Sequence, residues 1–325
     1  MFQKHPLDLH EIRSRIVGYL DAKDLKSCAL VSRDWNDSFT QSLYSFVMMS
    51  KRGPSMETIE KNKHLIKLLK IQSFAYERLS STYSQGKLIS IIMANSIMST
   101  LDFCDYPIGD NGAQALSEAL KTNRTLTALY LLNSSIGPSG AQALSEALRA
   151  NRNLITLTLG FNPIGINGAQ ALSEALRTNS TLTTLDLYGS PIRSFGDNGA
   201  QALSEALKTN RTLTTLNLGY NSIRSQGAQA LSEALKTNRT LTTLNLCDNL
   251  IDDNGIQTLS EALKTNKALT TLNLRKNKIG NNGAQALSEA LMVNSTLTTL
   301  ELYGNPFGDK RALAISQMLR AQNAI

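Results

Sequence analysis

Three histidines (His5, His10, His64) and three cysteines (Cys28, Cys104, Cys247) are all that this chain of 325 residues offers for metal or nucleophilic chemistry beyond its carboxylates and hydroxyls. The cysteines are isolated, and no pair of them stands at zinc-ligand spacing with a histidine. All three histidines precede residue 65, so no nucleophile–histidine pair can form within the later part of the chain. No GxxxxGK[ST] loop occurs, and no GxGxxG stands between a strand and a helix. No metal or cofactor is expected. What recurs is a band of aromatic and charged residues at nearly constant spacing: Cys104–Asp105, Leu132–Asn133, Phe161, Tyr188, Tyr220, Asp248, Arg275–Lys276 and Tyr303. Those residue types suit recognition of another protein better than catalysis.

The spacing of that band comes from a repeat. Segments of the type LTTLNL begin at Leu126, Leu154, Leu182, Leu213, Leu241, Leu269 and Leu297, and an earlier copy begins at Met98. The period is 28 residues, with one gap of 31 whose extra residues fall around 193–197. Within each unit LTTLNL alternates as a short strand does, Leu244 and Leu246 pointing opposite to Thr243 and Asn245. NGAQALSEALKTN then carries apolar residues at helical spacing. In one unit Ala230, Leu231, Ala234 and Leu235 form the buried stripe, with Gln229, Ser232, Glu233 and Lys236 free to face water. Glycines such as Gly140 and Gly227 recur at the helix start, where close approach or unusual dihedrals exclude a side chain. Asparagines such as Asn151 and Asn238 follow the helix, where a left-handed terminating residue is expected. A further column, Asn162, Asn221, Asn249, Asn277 and Asn305, stands where it could hydrogen-bond the turning backbone and its neighbouring coil.

No single unit can bury its own leucines, so the units must stack, strands beside strands at about 4.8 Å in a parallel sheet and helices outside. The pattern over 98–325 resembles the leucine-rich repeat family, in its ribonuclease-inhibitor-like form. That resemblance implies an α/β fold, a curved solenoid with the sheet on its concave face, eight clear units and a terminal cap containing Lys310, Gln317 and Arg320. Arg311 takes the place of the repeat glycine there. A degraded earlier copy is expected within 47–97, with Ile66, Leu69 and Ile71 as its strand and Leu88, Ile92 and Asn95 in helix register. On this layout the strand residues opposite the leucines face the concave side. Asp102, Asp105, Tyr130, Phe161, Asp186, Tyr188, Tyr220, Asp248, Arg275, Lys276 and Tyr303 are the candidate substrate-binding residues. The neighbouring column of threonines, Thr156 to Thr299, reads as strand material. Asp102 and Asp186 stand three units apart, roughly 14 Å on regular stacking, too far for a paired-carboxylate hydrolase.

Residues 1–46 have a different texture. Leu9, Ile12, Ile16 and Leu20 follow helical spacing, and Leu25, Cys28 and Ala29 continue the apolar surface beyond DAKD. Three short helices, roughly 9–20, 22–32 and 33–45, are expected, with a loop or hinge at 50–62 around Gly53 and Pro54. Periodicity alone favours a helical cap closing the solenoid. The letters PLDLHEIRSRIVGYLDAKDLKSCALVSRDWNDSF, however, are similar to the F-box family, most closely in LVSRDW, with His10 where family members often carry proline. That resemblance implies a small all-helical domain binding the adaptor subunit of a cullin–RING (SCF-type) ubiquitin ligase through Pro6, Leu7, Leu9, Ile12, Ile16, Leu20, Leu25, Leu30 and Val31. The repeats would then hold a protein or peptide substrate, and the chain would have no catalysis of its own. A repeat scaffold or signalling interaction protein without ligase partners is the alternative.

The net charge of +7 does not call for nucleic acid, because much of it recurs at helix ends (Lys121, Arg149, Arg177, Lys208, Lys236, Lys264), where cations are favoured locally. No apolar run reaches membrane-spanning length, the first residues lack a secretory apolar run, and scattered free thiols suit a reducing compartment. A monomer apart from ligase assembly, intracellular and either cytoplasmic or nuclear, is the expectation.

Overall fold

The computed structural model of the chain describes residues 97–189 and 195–308, positions 89, 311, 315 and 317, and the backbone of two earlier strands. The three expected N-terminal helices, the hinge at 50–62 and all nine candidate adaptor-binding residues lie outside the described residues, as do Leu88, Ile92, Asn95, Lys310 and Arg320.

Ten strands run parallel in one sheet, in chain order: β1 (Phe46–Met49), β2 (Leu68–Ile71), β3 (Thr100–Asp102), β4 (Ala128–Tyr130), β5 (Thr156–Thr158), β6 (Thr184–Asp186), β7 (Thr215–Asn217), β8 (Thr243–Asn245), β9 (Thr271–Asn273) and β10 (Thr299–Glu301). Between them lie α1 (Gly109–Thr122), α2 (Pro138–Ala150), α3 (Gly165–Leu176), α4 (Gly196–Thr209), α5 (Ser225–Thr237), α6 (Asp253–Thr265) and α7 (Asn281–Leu291), each packed on its neighbours. This is the curved α/β solenoid that the repeat implies. The register is invariant, Leu216 opposite Leu244 and Leu244 opposite Leu272, so identical leucines form one continuous buried column. Burial of each contributes about 1.5–3 kcal/mol. The degraded strand around Leu69 is present as β2. Strand β1, within the boundary drawn between front end and linker, was not foreseen. The step from β1 to β2 is 22 residues and that from β2 to β3 is 32, instead of 28, which hides the repeat.

The asparagines after the helices are not left-handed, and where they cap the helix they are extended: Asn238 has φ −71° and ψ 133°. It serves as a bridge instead. Its Nδ2 donates to the Leu207 and Asn210 carbonyls of the preceding coil at 2.8 and 3.4 Å, and its Oδ1 accepts from the Thr240 and Leu241 amides at 3.0 and 2.8 Å. Asn151, Asn179, Asn210, Asn266 and Asn294 make equivalent bridges, all buried. The second asparagine column does the same at the strand ends, as expected. Asn249 donates to Leu218 and Leu246 carbonyls while its Oδ1 accepts from the Asn221 and Ile223 amides of the preceding coil.

The helix glycines need space, not unusual dihedrals. A Cβ on Gly168 would lie 2.9 Å from Ala141 on the helix before it, and one on Gly140 would lie 2.9 Å from Ala113. Ser232, read as water-facing, is buried and donates to the Ala228 carbonyl. Helices α2, α5 and α7 lack a side-chain cap of their own at the N-terminus. The preceding coil supplies it: Asp110 accepts from Gly137 and Gly140 amides, Asp197 from Arg224 and Gly227, and Asp253 from Gly280.

Asn238→Ala should therefore remove five hydrogen bonds, the fifth from the Thr240 hydroxyl at 3.4 Å, and leave buried carbonyls and amides unpaired. We expect a loss on the order of 3–5 kcal/mol in urea unfolding. Arg239→Ala, next along the chain and exposed, should stay within about 0.5 kcal/mol. Similar losses for the two would show that the bridges do not hold the coils together.

Candidate recognition site on the strand ends

Beyond its last leucine each strand ends in two residues that the core does not need. The first column reads Cys104, Leu132, Gly160, Tyr188, Gly219, Cys247, Arg275, Tyr303, and the second reads Asp105, Asn133, Phe161, Gly189, Tyr220, Asp248, Lys276, Gly304. The second column turns the chain out of the sheet in the left-handed region throughout, from φ 60° at Asp105 to φ 80° at Gly304. Glycine, asparagine and aspartate tolerate that conformation. Phe161 (φ 54°), Tyr220 (φ 57°) and Lys276 (φ 50°) hold it at a cost of about 1–2 kcal/mol each.

The aromatic residues and the glycines alternate between the two columns. Phe161 leans over Gly189 of the next coil, where a Cβ would come within 2.7 Å of its ring. Tyr188 leans over Gly219 in the same way, again at 2.7 Å. The result is a three-ring ladder. Phe161 meets Tyr188 edge-on with centroids 5.3 Å apart, and Tyr188 stacks on Tyr220 at 6.1 Å and 19°. Phe161 and Tyr220 keep 40% and 54% of their surface exposed, so the ladder is open to a partner.

On either side of the ladder the band satisfies itself. Asn133 donates to Asp105 at 2.9 Å, and Lys276 pairs with Asp248 at 3.6 Å. Arg275 stands 3.8 Å from Glu301, with its guanidinium 5.7 Å from the Tyr303 ring centre. The basic pair Arg275–Lys276 is thus largely matched by acids of its neighbours. Asp102 and Asp186, on the last strand position, each accept an amide two residues on, from Cys104 at 2.9 Å and Tyr188 at 2.8 Å. Asn217, Asn245 and Asn273 make the same bond in their own coils. Burial pushes the Asp186 carboxyl above its ordinary range, offset only in part by the Tyr188 amide and the Asn217 side chain. Tyr130, on the same column, is half-buried. The structure thus brings Phe161, Asp186, Tyr188 and Tyr220 together, and places Asp102, Asp105 and Tyr130 before them and Asp248, Arg275, Lys276 and Tyr303 after them. The glycine partners of the ladder, Gly189 and Gly219, were missed in the sequence. The alternation of Gly-aromatic and aromatic-Gly pairs was the available signal.

Among the described residues no group of three His, Cys, Asp or Glu side chains is placed to hold a metal ion, and no helix is long and apolar enough to cross a membrane. Comparison with family models matches an F-box-like domain at residues 10–49, and a Leucine Rich repeat at 122–145, 150–173, 209–232, 237–260, 265–288 and 293–316. No curated protein matches the chain. Among solved structures, Leiomodin-1 Actin-Binding Site 2 is similar at 24% identity and a TM-score of 0.35, over 38% of this chain and 72% of that one. The tropomodulin C-terminal domain of Caenorhabditis elegans is similar at 13% identity and a TM-score of 0.38, over 57% of this chain and 93% of that one. The chain thus carries an F-box-like segment followed by leucine-rich repeats stacked as 28-residue coils on one sheet, an architecture typical of interaction modules.

Proposed function

We propose that the chain is the substrate-recruiting subunit of a cullin–RING (SCF-type) ubiquitin ligase. Residues 6–39 hold the adaptor subunit, and through it the cullin, while the strand-end rim of the solenoid grips the protein to be modified. The observation that carries this reading is the order of the two parts, an F-box-like segment at 10–49 and then the repeats. Ubiquitin transfer belongs to other subunits, and this chain contributes position alone, working inside the cell in the cytoplasm or nucleus.

The ladder supports the second half of the proposal on energetic grounds. Phe161 and Tyr220 occupy a left-handed position that Asn133 fills cheaply elsewhere, and Asp186 holds a desolvated charge where asparagine suffices in three other coils. Stability is given up locally, at residues that face outward, as binding surfaces commonly require.

Two measurements test the proposal. Purified adaptor should be retained by the full chain and lost with Leu20→Asp or Leu30→Asp. No retention by the unaltered chain, or none of it lost with either substitution, would leave the repeat-scaffold alternative in its place. Asp186→Asn should raise the thermal midpoint at neutral pH while keeping the turn hydrogen bond. Because the folded carboxyl titrates above its unfolded value, the burial penalty is absent below the ordinary aspartate range and grows as pH rises through the folded pKa. The gain from asparagine should accordingly vanish as pH is lowered into that range. A pH-independent difference would show that Asp186 carries no such penalty.

A further inference from the structure

Two of the eight coils end in the same four-letter pattern, Asp186-Leu187-Tyr188-Gly189 and Glu301-Leu302-Tyr303-Gly304. Each places an acid on the last strand position and a tyrosine two residues on. In the later coil the chain itself fills the pair: Arg275, from the coil before, stands 3.8 Å from the Glu301 carboxylate with its guanidinium 5.7 Å from the Tyr303 ring centre. Acid and tyrosine together accommodate one guanidinium, by charge and by cation–π attraction.

In the earlier coil the residues that correspond to Arg275 and Lys276 are Gly160 and Phe161. Neither carries charge. Among the described residues no cation pairs with Asp186, whose carboxyl is offset only by hydrogen bonds from the Tyr188 amide and the Asn217 side chain. Phe161 packs edge-on against the Tyr188 ring on one side and Tyr220 stacks beside it on the other, so the aromatic surface left open to a ligand is chiefly that of Tyr220, 54% exposed, next to the rim of Tyr188. The other charged residues near the ladder on this band are acids, Asp105 toward the first coils and Asp248 toward the last, before Lys276 and Arg275 are reached.

From this we infer that the ladder is an arginine-reading site: an extended segment of the recruited protein lays an arginine against Tyr188 and Tyr220 with its guanidinium toward Asp186, as Arg275 lies on Tyr303 and Glu301. This rests on the rim being the recruiting surface and adds the chemistry of what it recruits. Arginine suits the site better than lysine, because its planar, weakly hydrated head stacks on a ring while pairing with a carboxylate. Three coils of ladder span roughly 10 Å, about the length of three extended residues, so a short linear segment can cover it. A polyanion such as single-stranded nucleic acid would have to sit against Asp186 and Asp248.

The test is selection of a displayed library of random linear dodecapeptides on the full chain, followed by affinity measurement with the synthetic peptides obtained. Peptides carrying an arginine should be enriched. Replacing that arginine by citrulline, which keeps the shape and removes the charge, should weaken binding about tenfold or more. Asp186→Asn and Tyr188→Ala should weaken it to a similar extent. Asparagine makes the same turn hydrogen bond in three coils, so a loss with Asp186→Asn is a loss of charge and not of fold. Gly219→Ala, which pushes the Tyr188 ring aside without removing it, should also weaken binding. Enrichment of uncharged or acidic peptides, no enrichment at all, preference for an oligothymidine probe, or arginine peptides that bind Asp186→Asn and Tyr188→Ala unchanged would each overturn the inference. Adaptor capture measured on the same samples separates it from the ligase reading: adaptor retained without arginine peptides overturns this inference alone, and arginine peptides bound without adaptor uphold it on a scaffold.

Discussion

A coil whose leucines are buried only by its neighbours must also bury the backbone that carries them. At both ends of each strand the chain turns inside the stack, out of reach of water, and its carbonyls and amides need partners. Asparagine is suited to this because one short side chain carries two donors and an acceptor. Asn238 and Asn249 use all of that capacity, binding the coil behind and their own turn at once. The insertion between the fourth and fifth units shows how firmly these bridges set the register. Asn210 and Asn221 reach back 34 residues, to Leu176 and Leu187, where other coils reach back 31, and the bonds stay at 2.8 Å.

The same constraint explains where variation is allowed. Leucine, asparagine and helix glycine positions are fixed by contact with the next coil, whereas the two strand-end columns touch the core least. There the chain departs from its own pattern in a coordinated way. Phe161 requires Gly189, and Tyr188 requires Gly219, so the departures are paired across coils and cannot be independent drift at single positions. The repeat matches also leave 174–208 unmatched, the stretch that holds Asp186, Tyr188, Gly189 and the insertion. The middle of the ladder falls in that stretch, while Phe161, Gly219 and Tyr220 lie in the matched repeats that flank it.

Much of this fold could be read from spacing. Period, strand and helix alternation, and the stacking of eight coils follow from leucine positions alone, because burial of a leucine in a repeat admits few solutions. The misread residues were polar ones whose role depends on the neighbouring coil. Asn238 resembles a helix terminator in its own unit and becomes a bridge only when Leu207 lies beside it. Ser232 resembles a surface residue until the adjacent helix covers it. Asp110 and Asp197 cap helices 27 residues further on, which no local pattern reveals. At the rim, residue types pointed to Tyr188 and Tyr220, but their contact depended on glycines whose meaning is spatial. Strand β1 was hidden by the irregular steps from β1 to β2 and from β2 to β3.

Not every outward-facing charge or ring on such a rim is available to a partner. Arg275, Lys276, Asp248, Glu301 and Tyr303 together would make an inviting surface if read one by one, yet each is engaged by a neighbour in the stack. Breaking those pairs would offset part of whatever a ligand gained, although exposed pairs of this kind are worth about 1 kcal/mol or less. The ladder differs in kind. Its rings lie against one another, and Phe161 and Tyr188 are seated over glycines, so a partner would find a preorganised face and lose little entropy in fixing it. Where a repeat protein answers its own charges, it closes that part of the surface. Where it leaves an acid beside open rings, as at Asp186, it leaves the surface on which the inferred arginine would rest.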